Sequence, residues 1–414
     1  MISILPNAET KEIKIIKNIF LFIILYNAIS PLLLCNNVIK SLFFTMKKYL
    51  LAIDSFKGCM TTFEIEEIVR ETILSFEPES KVVCIPLSDG GEGMLSIIQK
   101  LEGFSIVECN CHDALMRRIK AQYGVGRDGT AIIESALTCG INLLSDTTLC
   151  PVKATTYGVG EMLADAIKRG CNNILIGLGG SATSDCGIGM LQALIDIFAT
   201  NKTIFEVKAF FKTNFPNLTI TIACDVNNVL FGDNGAAYVF GPQKGAKNDD
   251  IFILDRKAKT FSTIASNIMG IDCSMCPGAG AAGGLGYAFM QFFNANVVSG
   301  TDIIMELTSL KQKIKDSDIV ITGEGKADKQ TLQGKAPYGI LNAAKLYKKP
   351  VVLVAGLIKD KKLLRDAGFD YLLELNSNIP SSDSNNVQQK YLDIDYNRKV
   401  ISNKLPIFLS KLTF

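Results

Sequence analysis

The chain has 414 residues, of which 48% are hydrophobic and 20% charged, and its formal net charge is +2. This composition is typical of a globular protein, and the length is sufficient for two domains. The small net charge and the lack of a long basic cluster argue against a nucleic-acid-binding protein. Twelve cysteines in so long a chain indicate reduced, buried thiols rather than a disulfide scaffold, which favours a cytoplasmic location.

The first 45 residues form an N-terminal extension that has two interpretations. Lys11, Lys14 and Lys17 precede an apolar run over residues 19–35, as in a targeting or anchoring segment. The run contains a proline and is short for a membrane-spanning helix. Alternatively, Met46 is the true start, because it leads directly into a predicted strand. We favour the second interpretation, and we expect no membrane association and no catalytic residue before Met46.

Beyond Met46, strand and helix patterns alternate, which favours an α/β fold with parallel strands. Strands are predicted over residues 49–53, 81–86, 173–176, 218–224, 318–321, 351–355 and 371–374. Helices are predicted over residues 62–76, 92–101, 158–169, 187–197, 283–293, 338–346, 359–367 and 387–412. Thr61 and Glu64 form a capping box before the first helix. Between residues 104 and 133 the pattern becomes short and strand-like.

We therefore predict a Rossmann-like parallel-sheet domain from residues 46–103 and 279–414, interrupted by an inserted mixed α/β domain at residues 104–278. The segment 376–386 is rich in serine and asparagine and is predicted to be a loop. In open parallel sheets, ligands bind at the carboxyl ends of the strands. The segments that mix glycines with acids lie at such ends, so the sequence predicts a ligand site there.

Three of these segments, at residues 88–93, 177–187 and 322–328, are predicted to be loops that follow a strand and open a helix. Glycines let the backbone approach phosphate oxygens, and helix N-termini present free N–H groups to them. Carboxylates beside phosphates are favourable only if Mg²⁺ lies between them. The combination indicates a phosphoryl-transfer enzyme. The alternative explanation is polar turns and tight helix–strand packing.

Two other functional classes are open at this point. The segments 177–182 and 278–283 fit a loose dinucleotide fingerprint, so an NAD-dependent dehydrogenase of small hydroxy acids is one alternative. The acid that binds the ribose in such enzymes is missing, because Asp196 lies in a helical pattern. A surface-anchored ligand binder that uses residues 1–45 as its anchor is the other alternative. Neither a Walker motif nor the protein-kinase signature set occurs in the chain.

Eight motifs, taken in order, resemble those of the bacterial glycerate kinase family, the group that acts in glyoxylate and sugar-acid catabolism. They lie at residues 54–58, 88–93, 154–158, 179–185, 223–226, 240–246, 278–286 and 321–331. The resemblance implies ATP-dependent phosphorylation of D-glycerate, on the 2-hydroxyl rather than the 3-hydroxyl, with Mg²⁺ as the metal. It also implies a Rossmann-like domain with an inserted α/β domain. We expect a cytoplasmic monomer or homodimer.

Roles for the residues of these motifs follow from their chemistry. The predicted catalytic residues are Asp54, Asp89 and Asp185, with Asp89 or Asp185 as the base. The predicted Mg²⁺ ligands are Asp54, Asp225 and Glu324. The predicted glycerate-binding residues are Ser55, Lys57, Gly90, Gly91, Glu92, Ser181, Thr183 and Lys244. The predicted phosphate-binding residues are Gly179, Gly180, Gly280, Gly283, Gly284, Gly323, Gly325 and Lys335.

Overall fold

The computed structural model describes residues 46–56, 58–88, 90–145, 147–376 and 392–412. The compact unit discussed below comprises residues 48–78 and the chain from residue 82 onward. The remaining unit, residues 1–47 and 79–81, is mostly outside the described residues. The predicted N-terminal extension, most of the predicted loop at 376–386 and the start of the last predicted helix are therefore also outside them.

The described strands form two sheets. They are β1 (Lys48–Ile53), β2 (Lys81–Cys84), β3 (Phe104–His112), β4 (Arg118–Gly126), β5 (Thr130–Glu134), β6 (Asn173–Gly177), β7 (Thr219–Ala223), β8 (Asn296–Val298), β9 (Ile319–Ala327), β10 (Val351–Ile358) and β11 (Tyr371–Glu374). The first sheet has the order β11-β10-β9-β1-β2, and β1, β9, β10 and β11 pair in parallel. This sheet combines strands from both ends of the chain.

The second sheet has the order β3-β4-β5-β6-β7-β8 and uses only the middle of the chain. Its pairs from β3 to β5 are antiparallel, and those from β5 to β8 are parallel. The predicted α/β class, with one parallel and one mixed sheet, is confirmed. The predicted domain boundaries stay a prediction, and β8 extends the second sheet beyond residue 278.

Helices cover both sheets. They are α1 (Thr62–Phe76), α2 (Met94–Ile98), α3 (Ala136–Cys139), α4 (Tyr157–Lys168), α5 (Ile188–Phe198), α6 (Val207–Asn214), α7 (Ala236–Phe240), α8 (Asn248–Met269), α9 (Leu285–Phe293), α10 (Gly300–Leu307), α11 (Leu310–Asp316), α12 (Ala336–Leu346), α13 (Lys361–Ala367) and α14 (Ile394–Leu409). Short 3-10 turns lie at Ile141–Leu143, Ile204–Glu206, Pro242–Lys244, Ala281–Gly284 and Thr331–Gln333. None of the described helices has the length and apolar character needed to cross a bilayer.

The capping box predicted before α1 is confirmed. The Thr61 hydroxyl accepts a hydrogen bond from the Glu64 N–H at 3.2 Å, and the Glu64 carboxylate accepts one from the Thr61 N–H at 2.8 Å. The sequence analysis missed the 22-residue helix α8. Its buried residues Ile251, Leu254, Ala258 and Phe261 do follow helical spacing, so the signal was present in the sequence.

The first sheet is buried on both faces, as expected for a parallel sheet. On β1, Leu50 and Ala52 pack in one apolar cluster, which includes α11 and α12. Leu51 and Ile53 pack in another cluster, which includes α1 and α14. This alternation follows from the two-residue period of a strand. The loops at the strand ends are therefore held by a rigid, doubly covered sheet.

Strand β9 corrects one sequence prediction. The segment 322–328 was predicted to be a loop that opens a helix, but β9 continues to Ala327 and the next α-helix begins at Ala336. The reason is pairing with β10, which runs from Val320 to Ala327. A Cβ on Gly323 would lie 2.2 Å from the Val354 carbonyl oxygen, so this glycine allows close strand packing. The segments 88–93 and 177–187 do connect a strand to a helix, as predicted.

Candidate active site

Two cavities lie where strands of both sheets end. The first, of about 780 Å³, is lined by segments that follow β1, β6 and β7. The second, of about 530 Å³, is lined by segments at the ends of β1, β7, β9, β10 and β11. Both cavities are lined by Asp54, Ser55, Cys59, Asp225 and Val226, which we call the shared wall. Two ligands bound side by side could therefore meet at this wall.

Two carboxylates stand on the shared wall. Asp54 directly follows β1, and its Oδ1 accepts a hydrogen bond from the Ser55 N–H at 2.7 Å. Asp225 follows β7, and its Oδ1 accepts a hydrogen bond from the Gly300 N–H at 3.0 Å. The structure thus brings together two acids that the sequence analysis had assigned to one site. Asp54 and Asp225 each line the two cavities, so each can act on a group that is transferred from one cavity to the other.

The first cavity has a wall made of backbone. Gly91, Glu92, Gly179, Gly180 and Ser181 line it, whereas Gly90 and Thr183 are not among its described lining residues. The two loops touch: a Cβ on Gly179 would lie 2.6 Å from the Gly91 Cα. Because only glycine fits at this contact, both backbones can face the same cavity. Such peptide groups are suited to bind the oxygens of an anion.

Lys244 supplies a buried cation to the first cavity. It is 2% exposed, and its Nζ donates hydrogen bonds to the Ser181 hydroxyl at 3.0 Å and the Thr183 carbonyl at 2.6 Å. Burial lowers the pKa of Lys244 from 10.5 to about 8, because desolvation disfavours the charged form. The carboxylate of Asp185 acts in the opposite direction. An anion bound in the cavity would hold this ammonium in its charged form.

Asp185 has a different position from that expected of a base. Its Oδ2 accepts hydrogen bonds from the Thr156 N–H at 2.8 Å, the Thr156 hydroxyl at 2.9 Å and the Gly189 N–H at 3.1 Å. Its Oδ1 accepts one from the Gly187 N–H at 3.1 Å. Asp185 is not among the described residues that line either cavity. Its catalytic assignment stays a prediction, and these contacts indicate that it fixes the loop between β6 and α5.

Glu324 and Lys335 form an ion pair at the second cavity, in which Glu324 is buried and the Lys335 side chain is 42% exposed. The Glu324 carboxylate accepts a hydrogen bond from the Thr331 hydroxyl at 2.6 Å and from the Lys335 Nζ at 2.8 Å. Glu324 is 6% exposed, and both members of the pair line the cavity together with Gly325. Gly323 is not among the described lining residues. The sequence predicted Mg²⁺ contact for Glu324 and phosphate contact for Lys335. Because the two side chains pair with each other here, both roles stay predictions.

The glycines before α9 serve packing. A Cβ on Gly283 would lie 1.9 Å from the Thr183 carbonyl oxygen, and one on Gly284 would lie 2.8 Å from the Cys186 Cα. A Cβ on Gly280 would lie 2.4 Å from the Val229 carbonyl oxygen. Among the described residues of this segment, only Ala282 lines a cavity. The geometry favours the packing explanation over the phosphate-binding one for these glycines.

Lys57 and Asp89 lie outside the described residues. Within the described ranges, no three His, Cys, Asp or Glu side chains form a group that could hold a metal ion. The carboxylates of Asp54 and Asp225 nevertheless suit a magnesium ion that arrives with a nucleotide. Such an ion usually keeps several waters and binds one or two protein carboxylates together with substrate phosphates.

Two of the lining residues, Gln243 and Asn376, were not predicted from the sequence. Gln243 lies in the same motif as Lys244 and lines the first cavity. Asn376 lines the second cavity and follows the predicted strand 371–374. Its place just beyond the carboxyl end of a parallel strand was a usable signal, because ligand sites occur there.

Residues 49–394 match the model of the glycerate kinase family. The chain belongs to this family. It is 35% identical over 355 residues to the glycerate 2-kinase of Escherichia coli K12, a match that covers 81% of this chain and 92% of that protein. It is 35% identical over 344 residues to the glycerate kinase of Bacillus subtilis 168, which covers 79% and 90% of the two chains.

A solved structure agrees with this assignment. The crystal structure of a proposed glycerate kinase 2 from Salmonella typhimurium LT2 superposes with a TM-score of 0.67 and 30% sequence identity. The match covers 88% of this chain and all of that chain. The family resemblance that the motifs indicated is therefore confirmed. Family membership makes the protein a phosphotransferase with an alcohol group as acceptor, and it removes the support for the dehydrogenase alternative.

Proposed function

We propose that the protein is a glycerate kinase that transfers the γ-phosphoryl group of ATP to the 2-hydroxyl of D-glycerate. The observation that carries the proposal is the shared wall, where Asp54 and Asp225 border two cavities in a chain of this family. The name of the Escherichia coli relative, glycerate 2-kinase, supports the 2-hydroxyl as the acceptor.

The two cavities suit different parts of the reactants. The first offers glycine peptides and the buried ammonium of Lys244, which suit the carboxylate of glycerate and the transferred phosphoryl group. The second is bordered by Phe56, Leu357 and Leu392, which suit the nucleoside. In this arrangement the γ-phosphorus lies at the shared wall, beside the hydroxyl that attacks it.

We propose Asp54 as the group that takes the hydroxyl proton. The 2-hydroxyl oxygen forms a bond to the γ-phosphorus as the bond from that phosphorus to the β–γ bridging oxygen breaks, and ADP leaves with the bond electrons. The hydroxyl proton moves to the Asp54 carboxylate. Most of the rate comes from positioning and charge neutralisation, because no covalent enzyme intermediate is needed. Asp185 accepts hydrogen bonds from backbone N–H groups, and in this way it holds the loop that positions Ser181.

Asp225 is the described residue that we propose for Mg²⁺ contact, next to Asp54 on the shared wall. When bound, Mg²⁺ neutralises charge on the phosphate oxygens. Asp225 is fixed for this role because Gly300 donates a hydrogen bond to one of its carboxylate oxygens. The other oxygen lies 3.4 Å from the Thr301 hydroxyl, which donates to it.

We also propose a cytoplasmic location, where ATP is available. The eleven described cysteines form no disulfide bonds with one another, which is usual in a reducing compartment. A monomer or homodimer is retained as the expected assembly.

The test is phosphorus NMR of the product formed by the full chain from D-glycerate, ATP and Mg²⁺. We expect 2-phosphoglycerate and ADP in equal amounts. Formation of 3-phosphoglycerate would overturn the choice of hydroxyl. Absence of any phosphorylated product with D-glycerate, hydroxypyruvate or tartronate would overturn the proposed function itself.

A further inference from the structure

The side-chain amide of Asn376 is buried and has no hydrogen-bond partner among the described residues. Asn376 is 4% exposed, and within the described part of the chain neither its Oδ1 nor its Nδ2 makes a hydrogen bond. Its backbone is fixed, because its N–H donates to the Gly356 carbonyl at 3.1 Å. A buried amide with no partner destabilises a folded protein, so such a group needs an explanation. A ligand that supplies one donor and one acceptor would provide it.

The surroundings of the amide identify the kind of ligand. Asn376 lines the second cavity together with the apolar side chains of Phe56, Leu357 and Leu392. The position next to it is Gly356, where a Cβ would lie 3.6 Å from the Asn376 Nδ2 and 2.8 Å from the Gly325 carbonyl oxygen. Glycine therefore lets the two strands beside the amide, β9 and β10, approach each other closely. Apolar walls with one polar group suit a flat ring that has a polar edge.

The charges at this cavity favour a neutral group. Its two described lysines are paired: Lys335 lies 2.8 Å from Glu324, and Lys326 lies 2.9 Å from Asp328. Asn376 adds a neutral amide that has no partner among the described residues, and the remaining carboxylates of the lining, Asp54 and Asp225, also line the first cavity. The first cavity, by contrast, presents the buried Lys244. Phosphate and carboxylate groups belong in the first cavity, and the part of the nucleotide that carries no charge belongs in the second.

We propose that Asn376 recognises the base of the nucleotide, with its Oδ1 accepting a hydrogen bond from the 6-amino group of adenine and its Nδ2 donating one to a ring nitrogen. An asparagine amide matches the adjacent donor and acceptor on an edge of adenine. This inference rests on the proposed function for the identity of the ligand. It adds the residue that reads the base, which neither the motifs nor the glycine loops indicate.

The first test compares two nucleotides on the unmodified full chain. Purine riboside triphosphate has hydrogen where ATP has the 6-amino group. We expect its KM to be about 10–100-fold higher than that of ATP, because a site built to bind a donor rejects an analogue that lacks it. Equal KM values would overturn the proposal.

The second test removes the amide. In Asn376→Leu we expect the KM for ATP to rise about 10–100-fold with kcat within a few-fold, and the preference for ATP over the purine analogue to fall to about one. In Asn376→Asp the group only accepts hydrogen bonds, so we expect a shift of preference towards GTP of about tenfold, since guanine presents two adjacent donors. Retention of the original base preference in both variants would overturn the proposal.

Thr322→Val is the matched control. Thr322 also carries a buried hydroxyl that has no partner within the described residues, and it lies in the same sheet, but it is not among the described residues of the cavity. We expect this variant to keep the preference for ATP. A loss of that preference in Thr322→Val equal to the loss in Asn376→Leu would mean that any change in the sheet produces the effect, and would overturn the proposal.

Stability gives a further readout. Leucine has no amide to leave unpaired, so unliganded Asn376→Leu should unfold at a temperature equal to or above that of the unmodified chain. A melting temperature lowered by several degrees would show that the amide has a structural partner, which would contradict the proposal.

The two proposals fail in different ways. If the unmodified chain makes no phosphoglycerate but binds ATP more tightly than the purine analogue in calorimetry, and Asn376→Leu abolishes that difference, the proposed function fails while the assignment of Asn376 stands. If phosphoglycerate forms but the preference for ATP does not change when Asn376 is replaced, the proposed function stands and the assignment of Asn376 fails.

Discussion

The two cavities differ in the chemistry of their walls, although they share Asp54 and Asp225. The first is bordered by glycine peptides and by Lys244, a cation with 2% exposure. The second is bordered by apolar side chains, by a lysine–glutamate pair and by the neutral amide of Asn376. The difference supports our proposal that the charged groups of the reactants bind on one side of the shared wall and the base on the other.

A second contrast concerns the acids themselves. Asp54 and Asp225 line both cavities, whereas Asp185 accepts hydrogen bonds from the backbone of two helix starts and is not among the described lining residues. Acids of the same family motifs therefore divide into a pair that lines both cavities and one that holds a loop. Three predictions test which residues contact ligand and which support the structure, from the largest expected effect to the smallest.

The largest effect is expected for Asp54→Asn. The amide cannot take a proton from the hydroxyl, so kcat should fall by about 10²–10⁴-fold with the melting temperature nearly unchanged. Steady-state kinetics and thermal unfolding measure the two effects. Asp185→Asn is the comparison: there we expect the free energy of unfolding to fall by about 1–3 kcal/mol, with the smaller loss in kcat. If Asp185→Asn lost more activity than Asp54→Asn at equal stability, the division would be wrong.

The next effect is expected for Gly283→Ala. Gly283 has φ of +68°, and an added Cβ would approach the Thr183 carbonyl oxygen to 1.9 Å. Backbone strain and overpacking should together lower the free energy of unfolding by about 2–5 kcal/mol, as measured by urea titration. Gly129→Ala is a suitable control, because Gly129 has φ of +79° but nothing within 4 Å of the added atom. A stable Gly283→Ala variant with a raised KM for ATP would instead support phosphate binding by this loop.

The smallest effect is a change with pH in the KM for glycerate, which we attribute to Lys244. Its pKa is lowered to about 8 in the folded state, so the ammonium loses its proton as the pH rises above that value. The KM for glycerate should therefore increase above pH 8, by at most about tenfold per pH unit. Steady-state measurements between pH 7 and 9.5 would detect this increase.

Above pH 8 the folded protein should become more stable, although its binding of glycerate becomes weaker. Between pH 8 and 10.5 the unfolded chain binds more protons at Lys244 than the folded chain, so the contribution of this group to the free energy of unfolding rises with pH. The gain amounts to at most about 3 kcal/mol. Lys244→Met should remove both dependences. If the variant kept the rise in KM above pH 8, another group would be responsible.

Much of the fold could be predicted from the sequence, because its signals are local. The capping box at Thr61 and the strand–loop–helix connections at 88–93 and 177–187 are each signalled by residues that are close together in the sequence. The segment 322–328 was predicted wrongly because pairing with β10 is a tertiary contact, and it overrides the usual preference of glycine for loops.

The site was predictable in its parts but not in their roles. The residue type and loop position of Asp185 suggested a base. Only the folded structure shows that its carboxylate accepts hydrogen bonds from Thr156 and Gly189. Asn376 had a favourable position after a strand, yet the lack of a partner for its amide is a property of the packed structure. Residue type and position in the sequence identify candidate site residues. The hydrogen bonds that each side chain makes in the folded protein distinguish a group that is available to a ligand from one that supports the site.

The first sheet has a consequence for synthesis of the protein on the ribosome. β1 carries Asp54 at its end but pairs with β9, which belongs to about the last quarter of the chain. The strands of the second sheet, by contrast, have all been synthesised before β9 is translated. Until then β1 has an open edge of the kind that promotes association between nascent chains. A polypeptide released early would therefore expose this apolar strand and could not complete the wall that the two cavities share.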